Sequence, residues 1–235
     1  MKTLGMLGGM SWESTVPYYQ IVNRRIAARL GGLHSAPLVL WCPDFAEIER
    51  LQHLDAWDQA GALLVAGGRG LVAAGAEVLI LCTNTMHRVA DVIERELPIP
   101  LLHIAEPTGA AIRAAGLRRV GLLGTRFTME QAFYRERLVD RFDLEVLVPD
   151  AEAREAVHRI IFDELCRGIV RDASRDRLTR IVEALVARGA EGVILGCTEL
   201  GMLLGPEDVD APLFDTTRLH AEAAADALLV EHAAS

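Results

Sequence analysis

Short apolar runs alternate with longer amphipathic segments along the whole chain, the pattern of a βα repeat built on parallel sheet. The runs predict strands at Thr3–Leu7, Pro37–Trp41, Glu77–Leu81 and Leu101–Ile104, then at Val120–Leu123, Leu144–Val148, Gly192–Leu195 and Pro212–Phe214. Between them, apolar positions near helical spacing predict helices over Val16–Ala28, Ala56–Ala74, Arg88–Glu96, Ala153–Val170 and Arg175–Arg188, with a last helix over Arg218–Glu231. Gly67-Gly68-x-Gly70 interrupts the second of these and suggests a break.

The strands fall into two sets whose features repeat at a nearly constant offset. Leu4-Gly5-Met6-Leu7-Gly8 matches Val120-Gly121-Leu122-Leu123-Gly124, with Gly121 116 positions after Gly5. Gly75-Ala76-Glu77 matches Gly189-Ala190-Glu191 at 114, and Pro100-Leu101-Leu102 matches Pro212-Leu213-Phe214 at 112. The expected fold is therefore α/β: two similar Rossmann-like domains, each with a four-stranded parallel sheet, related by pseudo-twofold symmetry. Residues 1–105 with 212–235 make the first domain and 106–211 the second, the last helix packing back on the first. Ligands of open parallel sheets bind beyond the carboxyl ends of the strands, so a cleft between the domains is the expected active site.

Composition narrows the chemistry. A net charge of −9 leaves no basic surplus for neutralising nucleic-acid phosphates, and no stretch approaches the length of a membrane span. The first residues are too soon interrupted by glycine for a signal peptide, so the cytoplasm is the expected compartment. Cys42, Cys82, Cys166 and Cys197 show neither a C-x-x-C pair nor a zinc-ligand spacing, so no metal is expected and one or two reactive thiols are. Gly5-x-x-Gly8-Gly9 lacks the spacing of a dinucleotide loop.

Two loops carry the polar chemistry. Cys82-Thr83-Asn84-Thr85-Met86-His87 follows the third strand of the first set, and Gly196-Cys197-Thr198-Glu199-Leu200 follows the third strand of the second. The 114-residue offset pairs Thr83 with Cys197, an arrangement suited to taking a proton from one face of a carbon and delivering one to the other. Side chains alternate along a strand, so Cys82 should point away from Thr83 and pack as a core thiol, unless a bulge at the strand end brings it into the site.

Together, Gly8-Gly9-Met10, Asn84-Thr85-x-His87 and Gly196-Cys197-Thr198-Glu199 resemble the signature of the aspartate/glutamate racemase family over essentially the whole chain. The family's first motif is usually Cys-Asn-Thr, whereas here Thr83 precedes Asn84-Thr85, a departure that resembles the L-aspartate/glutamate-specific branch. The resemblance implies racemisation of an acidic amino acid without pyridoxal phosphate, metal or other cofactor. It also implies Cys197 as the base serving the L form, and a homodimer is the commonest assembly for such enzymes. A thiol can reach the thiolate form at a helix N-terminus, while a threonine can give a proton to a carbanion, which assigns Thr83 as the opposing acid.

Met10 and Gln52 lie in resembling segments and are expected substrate contacts. Ser11, Asn84, Thr85, Thr125 and Thr198 sit where short polar groups can hold an α-carboxylate or equally cap a helix. Arg50, Arg126 and Arg167 are candidates for a distal carboxylate, Glu199 is a further candidate, and His87 is expected to be a structural hydrogen bonder. The alternatives are a hydantoin racemase or maleate isomerase using the same fold, and a silent dicarboxylate-binding protein that has lost its first thiol.

Overall fold

A computed structural model describes residues 1–229. Val230 and Glu231, the expected end of the last helix, lie outside the described residues, as does the remainder of the expected first domain to Ser235. The chain divides into two compact units, Met1–His103 with the chain from His220 onward, and Ile104–Leu219.

The first unit runs β1 (Leu4–Leu7), α1 (Trp12–Leu30), β2 (Leu38–Trp41), α2 (Phe45–His53), α3 (Trp57–Ala73), β3 (Val78–Leu81), α4 (Ala90–Glu96) and β4 (Leu101–Leu102). Its strands form a parallel sheet in the order β2-β1-β3-β4, with Leu4 beside both Leu38 and Val78. Both faces are covered, which is why β1 and β3 read as unbroken apolar runs. Leu4 and Met6 of β1 share a core with Tyr18, Val22 and Ile26 of α1. The alternate residue Gly5 faces Leu71 of α3 and Ala76 of the loop that follows it, on the other side.

The glycines of α3 do not break it. A Cβ on Gly67 would lie 2.6 Å from the Trp41 ring, and one on Gly68 would collide with Leu97. The helix runs through because these positions let its backbone approach the neighbouring side chains, and its buried face carries enough apolar surface to offset the weak helix propensity.

The second unit runs α5 (Ala105–Ala114), β5 (Arg119–Gly124), α6 (Arg126–Glu130), α7 (Ala132–Phe142), β6 (Glu145–Leu147), α8 (Ala151–Arg159), α9 (Asp172–Ala187), β7 (Gly192–Gly196) and β8 (Leu213–Asp215). Its parallel sheet has the order β6-β5-β7-β8, the same as the first. The long helix expected over Ala153–Val170 is instead three pieces. After α8 the coil widens over Ile160–Glu164, tightens over Leu165–Arg167, and stops at Gly168, whose φ of 69° ends it in the left-handed region. This irregular passage buries Leu165 and carries Cys166 toward the end of β7.

The return to the first unit falls later than position 212. Leu213 pairs with Val193, and Phe214 with Ile194, so β8 is hydrogen-bonded into the second sheet. The last described helix, α10 (Thr216–Leu229), starts in the second unit and continues into the first. There Ala221, Ala224, Ala225 and Leu228 pack against the core of β1, β3 and α1, with Arg25 Nη2 2.8 Å from Asp226.

Candidate active site

The first unit's candidates gather at the carboxyl ends of β1 and β3. After β1, Gly9 turns the chain with φ +81°, and a Cβ there would lie 2.8 Å from the Cys42 Cβ. The turn buries Met10 and Ser11. Ser11 stands at the start of α1, but its side chain caps no helix N–H; its carbonyl accepts from Ser14 Oγ at 3.2 Å and Thr15 Oγ1 at 2.9 Å. Thr15 Oγ1 accepts in turn from Gly9 N at 2.8 Å, which ties the loop to the helix.

After β3, Cys82 is fully buried in the core with Leu4, Met6 and Tyr18, and burial pushes its thiol well above the ordinary value. Thr83 follows at 6 % exposure, and a tight turn over Thr85–Val89 buries Asn84, Thr85 and His87 beside it. The His87 Nδ1 lies 2.7 Å from the Thr83 carbonyl, an oxygen that can only accept, so Nδ1 carries the proton and holds the turn closed. His87 also meets His103 edge to face at 4.3 Å and His220 at 6.0 Å between ring centroids. His220 Nε2 donates to the Leu102 carbonyl at 2.7 Å, leaving Nδ1 to accept from the Tyr18 hydroxyl at 2.9 Å. Burial lowers its pKa to about 4, so this imidazole is neutral. Gln52, on α2, is buried with its Nε2 3.1 Å from Met86 Sδ, and its Oε1 has no hydrogen-bond partner among the described residues.

The second unit places a different chemistry at the same point of its sheet. Cys197 follows β7 and is nearly buried. Its Sγ donates to Glu199 Oε2 at 3.0 Å, the Thr198 hydroxyl donates to the same oxygen at 2.9 Å, and Cys166 Sγ lies 3.7 Å from Oε1. Burial, and then the Glu199 carboxylate and the Cys166 thiol, push the Cys197 thiol well above its ordinary value. This corrects the expectation of a thiolate favoured by a helix N-terminus. The turn that follows, Leu200–Met202, is too short for a helix dipole, and the nearest charge is negative. Among the described residues, no group of three or more His, Cys, Asp or Glu is arranged to hold a metal ion. No helix among them is long and apolar enough to cross a membrane.

The sequence profile of the Asp/Glu/Hydantoin racemase family matches residues 7–224, which includes both loops. The chain belongs to that family. By that membership it is an amino-acid racemase, and relatives of similar length agree. The crystal structure of an Asp/Glu racemase candidate from Yersinia pestis is 52 % identical, covers 98 % of this chain and 100 % of that one, and superposes with a TM-score of 0.90. An aspartate racemase homologue from Pyrococcus horikoshii OT3 is 33 % identical over 97 % of this chain and 99 % of its own, with a TM-score of 0.82. The broad specificity amino-acid racemase RacX of Bacillus subtilis is 22 % identical over 226 residues, 91 % of this chain and 92 % of that protein.

For this family member, the structure groups the expected residues unevenly. Met10, Ser11, Thr83, Asn84 and Thr85 are buried at the strand ends of the first unit, with Gln52 reaching Met86 from α2, and Thr125, Cys197, Thr198 and Glu199 are buried at those of the second. Thr125 does cap a helix, accepting from Thr128 N at 3.3 Å, whereas Asn84 makes no side-chain cap. The three arginines are exposed, and Arg126 lies 3.6 Å from Glu155. Sequence reasoning missed His103, His220 and Tyr18, which join His87 only through tertiary packing. It also missed Thr216 and Thr217, whose hydroxyls donate to the Leu195 carbonyl at 2.7 Å and the Thr198 carbonyl at 3.3 Å, bracing the Cys197 loop. The signal for these threonines was their position after β8, the neighbour of β7 in the sheet.

Proposed function

We propose that this racemase acts on an acidic amino acid, L-aspartate or L-glutamate, by two-sided proton transfer at Cα, with Cys197 as the base and Thr83 as the opposing acid. The observation that carries the reading is the thiol–carboxylate contact of Cys197 with Glu199 at 3.0 Å, at the strand end matching the one that bears Thr83. A buried thiol with a proton acceptor beside it can serve as a base; a threonine hydroxyl cannot rest as an alkoxide but can protonate a carbanion. Both are side chains of the protein itself, so the transfer requires no cofactor. Short polar groups at the same ends, among them Ser11, Asn84, Thr85, Thr125 and Thr198, with Met10 and Gln52, bind the substrate, and a homodimer acting in the cytoplasm is the expected working form.

Racemisation has an equilibrium constant of one, so kcat/KM must be equal in the two directions whatever the residues. Unequal acid and base therefore appear as unequal kcat and KM for the two enantiomers. The test is Cα proton exchange in deuterated water over a panel of L and D amino acids. Exchange on aspartate or glutamate that disappears in Cys197→Ser is expected; tight binding of these amino acids with no exchange contradicts the reading and favours a silent binding protein.

A further inference from the structure

Glu199 is placed where no surface role accounts for it. It is 2 % exposed, yet both carboxylate oxygens are engaged: Oε2 by the Cys197 thiol and the Thr198 hydroxyl, Oε1 by the Cys166 thiol 3.7 Å away. Three donors from two separate parts of the chain converge on this one side chain. The Cys166 contact depends on the irregular coil of Ile160–Arg167, since a regular helix would present a different face at that position. The Thr217 hydroxyl, from the start of α10, braces the backbone of the same loop.

This geometry raises a problem for Cys197 as a base. A thiol must lose its proton before it can take another, and a free thiolate here would be a second buried negative charge within hydrogen-bond distance of a carboxylate. The groups that act on Cys197 by charge are Glu199, on its own loop, and Cys166, on the coil packed beside it. Neither offers a positive charge that would stabilise a waiting thiolate.

We propose that Glu199 is the immediate acceptor of the Cys197 proton, so that Sγ takes the Cα proton of the substrate as it passes its own along the hydrogen bond to Oε2. The inference rests on the racemase reading and deepens it. In the L to D direction the Cα–H bond breaks and a new S–H bond forms, while the old S–H bond breaks and an O–H bond forms on Glu199. The electron pair left on Cα takes the Thr83 hydroxyl proton on the opposite face, and water reprotonates the Thr83 oxygen. Glu199 then returns its proton to water. In the reverse direction Glu199 resupplies the thiol that has protonated Cα. No thiolate stands free at any point, and the donors from Thr198 and Cys166 hold the carboxylate in place.

Two readouts on Glu199→Gln test the relay: the pH dependence of Cys197 alkylation by iodoacetamide, followed by peptide mass spectrometry without substrate, and Cα proton exchange. Removing the carboxylate's charge should move the alkylation midpoint to lower pH, making the thiol easier to ionise. Exchange at pH 7 should nevertheless fall by about 100-fold or more, the usual scale of a positioned proton acceptor. Exchange remaining in the variant should climb with pH as the thiol ionises, whereas the unaltered enzyme shows no such climb through the thiol's range. Glu199→Asp, which keeps the charge, should recover part of the rate. A thermal melt confirms that each variant is folded.

Exchange in Glu199→Gln within about threefold of the unaltered enzyme overturns the relay, as does a parallel loss of exchange and alkylation with an unmoved midpoint, the mark of a misplaced thiol. If the unaltered enzyme exchanges no amino acid's Cα proton, the racemase reading fails and the relay with it; if it exchanges normally and the midpoint in Glu199→Gln does not move, the relay alone fails.

Discussion

The loops after β3 and β7 occupy the same place in two sheets of identical strand order, yet they present opposite surroundings. In the first, Thr83 follows a core thiol and is fixed through its carbonyl by His87, beside His103 and His220. In the second, Cys197 donates directly into a carboxylate that a second thiol and a hydroxyl also hold. A duplicated scaffold thus guarantees equivalent positions but not equivalent chemistry. The first loop is held at its threonine's carbonyl by an imidazole, and the second holds a thiol beside a carboxylate.

The largest effect should come from the thiol. Cys197→Ser is expected to reduce Cα exchange by about 10³-fold or more, measured by deuterium incorporation, with the fold retained, since a hydroxyl is a far weaker base at neutral pH. Thr83→Ala should suppress inversion by about 100-fold, and Thr83→Cys should make the two loops more alike. In that variant the kcat values for the two enantiomers should move closer together, and a wider gap would break the comparison.

Acid should act on the first unit through His220. Its pKa falls from an ordinary 6.5 to about 4 in the folded protein, so between these values the unfolded chain binds more protons than the folded one. The stability contributed by the neutral imidazole is therefore complete above pH 6.5 and is lost as pH falls toward 4, a change of about 3 kcal/mol. Urea denaturation at pH 7.5 and pH 4.5 measures it, and His220→Gln should reduce the difference. The smallest effect belongs to His87→Ala, which removes one hydrogen bond to the Thr83 carbonyl and should cost about 1 kcal/mol of stability.

Much of this architecture was legible in the apolar pattern. The eight expected strands correspond to β1 to β8 with shifts of a few residues, because strands covered on both faces leave continuous apolar runs. The helices were harder. α2 and α6 are short and start at Asp44 and Thr125, single caps that are not distinctive among many polar residues. The glycines of α3 suggested a break because close packing against Trp41 and Leu97 is a tertiary fact that local composition does not carry. The coil at Ile160–Arg167 looked like plain helix for the same reason: its apolar spacing is nearly helical, and only the packing of Leu165 and Cys166 reveals the change of pitch.

Within the site, the loops themselves were visible as motifs, and the offset between the halves singled out Thr83 and Cys197. The state of the thiol was not. A Cys-Thr-Glu run gives no indication that the thiol is buried or that the Glu199 side chain turns back onto it, and burial first, then that carboxylate, push the thiol up rather than down. The imidazole cluster was hidden because His87, His103 and His220 are far apart in sequence and meet only once α10 has packed on the first unit.

In the proposed reaction one face of Cα is served by Cys197 and the other by Thr83. Incubating Thr83→Ala with the L enantiomer of aspartate or glutamate in deuterated water tests this most directly, with Cα deuterium and enantiomeric composition followed together. One-sided exchange is expected: deuterium enters the L enantiomer through Cys197 while formation of the D enantiomer is suppressed. Formation of the D enantiomer at the rate of the unaltered enzyme would contradict it.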